Sequence, residues 1–138
     1  MKKVLILFMP LVFLATFHCG GEAEEPFISH VYGYTQRIRV VSDTINDTLS
    51  GVNGMVLRIY DIDPYNLSTF RLRYDTTVNR DTIPGCFEMD SVCYGTTRNQ
   101  GNIVLIGIDS TENPGWTTQY HYPFISGEVD TITVYFFE

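Results

Sequence analysis

Positive charge is scarce in this chain of 138 residues. Lys and Arg total 9 against 16 Asp and Glu, a net charge of −7. Both lysines fall within the first three residues, so every later cation is an arginine. Phosphate recognition needs clustered Lys and Arg, so a nucleic-acid partner is disfavoured. Histidine occurs only as His18, His30 and His121, and tryptophan only as Trp116. No C-x-x-C pair is present for thioredoxin-type redox chemistry, and no G-x-S-x-G elbow for a hydrolase. No segment repeats apolar residues with the i, i+3, i+4, i+7 spacing of an amphipathic helix. Only residues 4–17 form a long charge-free apolar run, and a membrane-spanning helix needs about 20 such residues. What is plentiful is apolar content, at 44%, with 14% aromatic. That excludes a disordered chain, which cannot offset its conformational entropy by burial.

Lys2 and Lys3 precede the apolar run, and Glu22, Glu24 and Glu25 follow it. A basic start, a short apolar core and a polar stop are the parts of a secretory signal. The pattern predicts a signal helix over residues 1–18. Cys19 comes next, followed by Gly20 and Gly21. This arrangement resembles a bacterial lipoprotein signal, which implies that the Cys19 thiol is acylated and becomes the mature N-terminus. His18 departs from the small residue which that family places before its cysteine. The alternative is ordinary secretion with a cut after Gly21 or Ala23. The two outcomes differ physically. Two or more acyl chains hold a protein on a membrane, each buried CH₂ contributing about 0.8 kcal/mol. The expected location is the cell envelope, anchored by an N-terminal lipid to the outer membrane or cell surface. The alternative location is the periplasm or medium, as a soluble protein.

Removing the signal takes both lysines and leaves seven arginines against 16 acids, a net charge of −9. The expected layout is a signal over 1–18, an anchor cysteine and acidic tether over 19–32, and one domain over 33–138. Cys86 and Cys93 remain as a pair enclosing Phe-Glu-Met-Asp-Ser-Val. In an oxidising compartment such a pair is expected to form a disulfide. The alternative is two free, buried thiols.

Within the domain the apolar residues alternate with period two, as in half-buried strands. Met55, Leu57 and Ile59 share one face, as do Ile132, Val134 and Phe136. In the run Phe70-Arg71-Leu72-Arg73-Tyr74-Asp75 the apolar residues are expected on the core and the charges in water. Turn signals separate these runs, including Asp63-Pro64-Tyr65-Asn66, Asn99-Gln100-Gly101-Asn102 and Ser126-Gly127. The expected fold is all-β, a single antiparallel β-sandwich of seven strands or so. Gly51 to Leu57, and Thr96-Thr97-Arg98-Asn99-Gln100-Gly101 before the next strand, resemble the transthyretin-like or carboxypeptidase-regulatory-like sandwich. An ordinary immunoglobulin-like sandwich shares most of these turns. One branch of the transthyretin-like fold hydrolyses a purine-breakdown product, and Ser29-His30-Val31 is faintly similar to it. The ending Val134-Tyr135-Phe136-Phe137-Glu138 lacks that branch's catalytic tail.

No catalytic residues, metal ligands or cofactors are expected. Asp61-Ile62-Asp63-Pro64-Tyr65-Asn66 opens like a calcium loop. It has Leu72 where the bidentate Glu belongs, so it is expected to be a turn with exposed acids. The best binding candidate is Trp116 after Asn113-Pro114-Gly115, extended by Tyr120 and Tyr122. Aromatic rings there would stack on sugar or peptide. The alternative is that Trp116 folds back to close the sandwich. The expected function is a non-catalytic exported lipoprotein, a structural or protein-interaction module. A carbohydrate- or peptide-binding domain is the second reading and a small envelope hydrolase the third. Expected partners are the membrane, through the lipid, and an envelope protein or glycan. An edge strand at Tyr135-Phe136-Phe137 could also accept another chain by strand addition.

Overall fold

A computed structural model describes residues 21–138. The predicted signal and Cys19 lie outside the described residues. The domain is all-β, with nine strands and no helix among those residues. In chain order they are β1 (Pro26–Ser42), β2 (Ile45–Ser50), β3 (Val56–Asp63), β4 (Asn66–Thr76) and β5 (Val78–Arg80). β6 (Ile83–Thr96), β7 (Leu105–Ile108), β8 (Gln119–His121) and β9 (Val129–Phe137) follow. One sheet has the order β2-β1-β6-β5, with β9 on the other side of β1. The second has the order β4-β3-β7-β8. All pairings are antiparallel except β1 with β9, which run parallel from His30↔Val129 to Ile38↔Phe137. The boundary expected at residue 33 falls inside β1, because Ser29 and Val31 are already buried.

Alternation explains most of the core. Leu57 and Ile59 of β3, Ile106 and Ile108 of β7, and Val134 and Phe136 of β9 are fully buried between the sheets. They meet Val31, Phe87, Met89 and Val92 of the β1–β6 pair. Each such side chain contributes about 1.5–3 kcal/mol on leaving water. Gly33 faces Phe87 across the β1–β6 register, and a Cβ there would overlap the Phe87 ring. The glycine thus makes room for the largest side chain of that layer.

β4 is turned the other way from the expectation. Phe70, Leu72 and Tyr74 are exposed, while Arg71 and Arg73 face inward. The cause lies on β3. Asp61 continues the inward row of Leu57 and Ile59 and is completely buried, not an exposed turn acid. Arg71 grips it with two bonds, Nε to Oδ1 at 2.9 Å and Nη2 to Oδ2 at 2.8 Å. Arg73 Nη2 donates to Oδ2 at 2.9 Å, and so does the Cys93 amide of the opposite sheet. A buried carboxylate needs compensating charge and donors, and a slip of one residue in β4 would remove both. The same arginines donate to the carbonyls of Ser91 and Asp90. Ser91 holds a left-handed φ of 55° at an irregularity in the β1–β6 pairing. Asp61 therefore ties the two sheets together through this bulge.

The cysteines correct a second expectation. Cys86 and Cys93 are free, both buried on β6. Cys86 pairs with Tyr34 and Cys93 with Ile28 along β1. At about 3.3 Å per residue, positions seven apart on one strand are separated by roughly 20 Å, far beyond the 4.4–6.8 Å Cα spacing of a disulfide. Burial raises the Cys93 thiol pKa, which keeps it protonated and unreactive.

β1 and β2 continue past the sandwich as a two-stranded ribbon. Val40, Val41 and Ile45 are exposed on it.

Two outcomes follow. Asp61→Asn should lower unfolding free energy by about 3–5 kcal/mol, since it leaves two inward guanidiniums without a counter-charge; urea denaturation measures this. A thiol reagent should label neither Cys86 nor Cys93 in the folded protein and both in denaturant. Fast labelling of the folded chain would contradict their burial.

Candidate functional site

The inversion of β4 creates an apolar outer face on the second sheet. Cross-strand partners share a face, and the register sets Tyr60 opposite Leu72 and Ile62 opposite Phe70. Tyr60 also faces Leu105 on β7, and Gly107 faces Tyr120 on β8. A Cβ at Gly107 would meet the Tyr120 ring, so that ring lies across the glycine. Tyr60 and Tyr120 meet edge to face with centroids 6.3 Å apart. Tyr60, Phe70, Ile103, Leu105, Tyr120 and Tyr122 line a shallow groove of about 440 Å³. Phe70 is 64% and Tyr122 76% exposed.

One end of this face holds an arginine between two carboxylates. Arg58, opposite Tyr74, donates to both Glu112 carboxylate oxygens at 2.8 and 2.6 Å and to Asp109 at 2.8 Å. The Glu112 bond is the main reason the Arg58 pKa is raised. Asp109 in turn accepts from the Thr111 amide and hydroxyl, which lower its pKa before Arg58 adds to the effect. Asn113 is buried in the same loop. Its amide spans the Val56 backbone, accepting from the nitrogen and donating to the carbonyl.

This loop decides the position of Trp116. The ring is half-buried and packs against the core, beside Phe137 and Glu138. It closes that end of the sandwich and stands apart from the outer groove. The expected trio is therefore divided. Tyr120 and Tyr122 belong to the groove, while Trp116 does not line it. Their groove neighbours Tyr60, Phe70, Ile103 and Leu105 were not anticipated from sequence.

The histidines have different surroundings. His121 is on the inner side of β8, edge-on to Phe136 with centroids 5.4 Å apart. Among the described residues no acid or hydroxyl bonds to it, and burial lowers its pKa. His30 bonds to Asp90 through Nδ1 and to Glu88 through Nε2 at 2.8 Å. Arg80 also holds Glu88, and that contact is the first cause of its lowered pKa. Ser29 is buried, and its hydroxyl bonds to the His30 carbonyl, not to the ring. Among the described residues no group of three or more His, Cys, Asp or Glu side chains could hold a metal.

The edge at Tyr135-Phe136-Phe137 is partly closed. The Gln119 side-chain amide donates to the Phe137 carbonyl and accepts from its amide, both at 2.7 Å. It occupies the place a partner strand would take there.

Compared with known proteins, the chain matches no family model, no curated protein and no solved structure.

The His121 environment has a pH signature. A folded-state pKa below the ordinary 6.5 means that protonation favours the unfolded chain. Its contribution is complete above pH 6.5 and is lost as pH falls through the folded value. The carboxyls of Glu88, Asp109 and Glu138, all lowered, add further loss only below about pH 4.5. His121→Phe should flatten the first limb and leave the second, as read from thermal midpoints between pH 8 and pH 3.

Proposed function

We propose that this protein is a non-catalytic, exported and lipid-anchored β-sandwich that binds an envelope protein through the outer face of the β4-β3-β7-β8 sheet. The observation that carries the reading is the exposure of Phe70, Leu72 and Tyr74 on a strand whose arginines are turned inward. Leaving each of these side chains in water forgoes about 1.5–3 kcal/mol of burial. A contiguous apolar patch of this kind marks an interaction surface. On its rim Arg58 is held by Asp109 and Glu112, so that cluster presents no free cation to a partner. Protein interfaces favour such Tyr- and Phe-rich centres.

The anchor is supported by the residues around Cys19 and by the acidic segment after it. The transthyretin-like resemblance is supported by the all-β sandwich in a coarse sense and by the Gly51 and Thr96 turns. A carbohydrate- or peptide-binding module is the second reading. The tyrosines favour it, because Tyr60, Tyr120 and Tyr122 combine ring faces with hydroxyls. Trp116 does not contribute to that version.

A photo-crosslinking residue at Leu72 should give one discrete protein adduct in intact cells, and Phe70→Ser with Tyr122→Ser should abolish it. A control crosslinker at Asn46 on the ribbon should give no such adduct. No protein adduct, together with retention on envelope glycan that Tyr122→Ala removes, would move the conclusion to the second reading. Neither signal would sink both.

A further inference from the structure

One end of the sandwich gathers the segment leading into β1 and three loops. The β3–β4 turn lies there, with Asp63 Oδ1 accepting from the Tyr65 amide at 2.9 Å. The loop after β6 lies beside it, over Ile62, Leu67 and Phe70. The third loop leads from β8 to β9 and carries Phe124, which lines a hollow of about 370 Å³ with Phe27, Tyr94 and Asn102. Tyr65 is 95% and Phe124 79% exposed at this end. The entering chain is fastened to the same place. The Glu24 carboxylate accepts from the Thr96 hydroxyl, and the Glu25 amide donates to the Thr97 hydroxyl at 3.1 Å while the Glu25 carbonyl accepts from the Thr97 amide at 3.0 Å.

That fastening limits the tether. Only four residues separate Cys19 from Glu24. Five Cα steps span at most about 17 Å. An acyl group on Cys19 would hold this end against the bilayer, within reach of the interfacial layer. Amphipathic aromatic residues prefer that layer. Charge does not supply the attraction. Glu22 and Glu128 are exposed here, and Arg98 lies 3.8 Å from Glu24. A zwitterionic lipid surface suits such an end better than an anionic one.

We propose that the N-terminal end of the sandwich rests on a zwitterionic lipid surface, with Tyr65 and Phe124 seated in its interfacial layer. The docking rests on acylation of Cys19 as read above. It stands the sheets upright, with the β1–β2 ribbon and Trp116 pointing away from the lipid and the aromatic groove open at the side.

The test uses the full-length acylated protein in phosphatidylcholine–phosphatidylethanolamine vesicles whose acyl chains are brominated. Tyr65→Trp and Phe124→Trp each add a tryptophan at an exposed site, and Trp116 serves as the internal reference. The emission added by either substitution should be largely quenched and blue-shifted, while Trp116 in the parent protein keeps its intensity. The mass of the N-terminal peptide is read on the same sample. Acylated Cys19 with unquenched added tryptophans, or with Trp116 quenched equally, overturns the docking and leaves the anchor standing. A peptide without acyl mass overturns both.

Discussion

The carboxylate of Asp61 is the constraint on which the rest of the domain depends. It has no exposure to solvent, yet it accepts from two arginines and from an amide of the facing sheet. An ion in that position must be compensated where it stands, because several kcal/mol of lost hydration are at stake. The compensation fixes the register of β4, the bulge at Ser91 and the separation of the two sheets at that point. Breaking one partner would disturb all three. A sandwich held only by Leu57, Ile59 and their neighbours could tolerate a shift of β4; this one cannot.

The aromatic surface follows from the same choice. Arg71 and Arg73 can face Asp61 only if Phe70, Leu72 and Tyr74 face water. Sheet faces are normally sorted by hydrophobicity, with polar residues outward. Here an electrostatic demand overrides that sorting in one strand, and the exposed row meets Tyr60, Leu105 and Tyr120 on its neighbours. Places where a local rule is broken are where function concentrates. The structural ion cluster and the candidate surface are thus two faces of one strand.

Much of this was legible in the sequence, and the failures have a common origin. Alternation identifies strands and their two faces but does not say which face is inside. For β3 and β9 the all-apolar rows Leu57-Ile59 and Ile132-Val134-Phe136 were the inner ones, while the opposite rows mix Arg58 or Thr131 and Thr133 with apolar and aromatic residues. For β4 the answer lay in a different strand. The spacing Leu57, Ile59, Asp61 already put an acid in the buried row, and a buried acid calls for inward arginines. Reading β3 and β4 together would have found the inversion; reading each alone could not. The cysteines failed in the same way. Their spacing suits a closed loop only if a turn lies between them, and Phe87-Glu88-Met89 runs straight through as strand. Trp116 was ambiguous on sequence, and the buried Asn113 beside it draws its loop back onto β3.

The parallel pairing of β1 with β9 bears on how the molecule comes into being. His30 finds its partner in Val129, 99 positions later. A ribosome delivers the N-terminal strand first, so one side of β1 stays open until nearly the whole domain has been made. Contacts of such long sequence separation close late and slowly. The last strand acts as the latch of the whole assembly. A chain so arranged keeps one side of β1 unpaired until its last strand arrives, so the sheet cannot close early around an incomplete core.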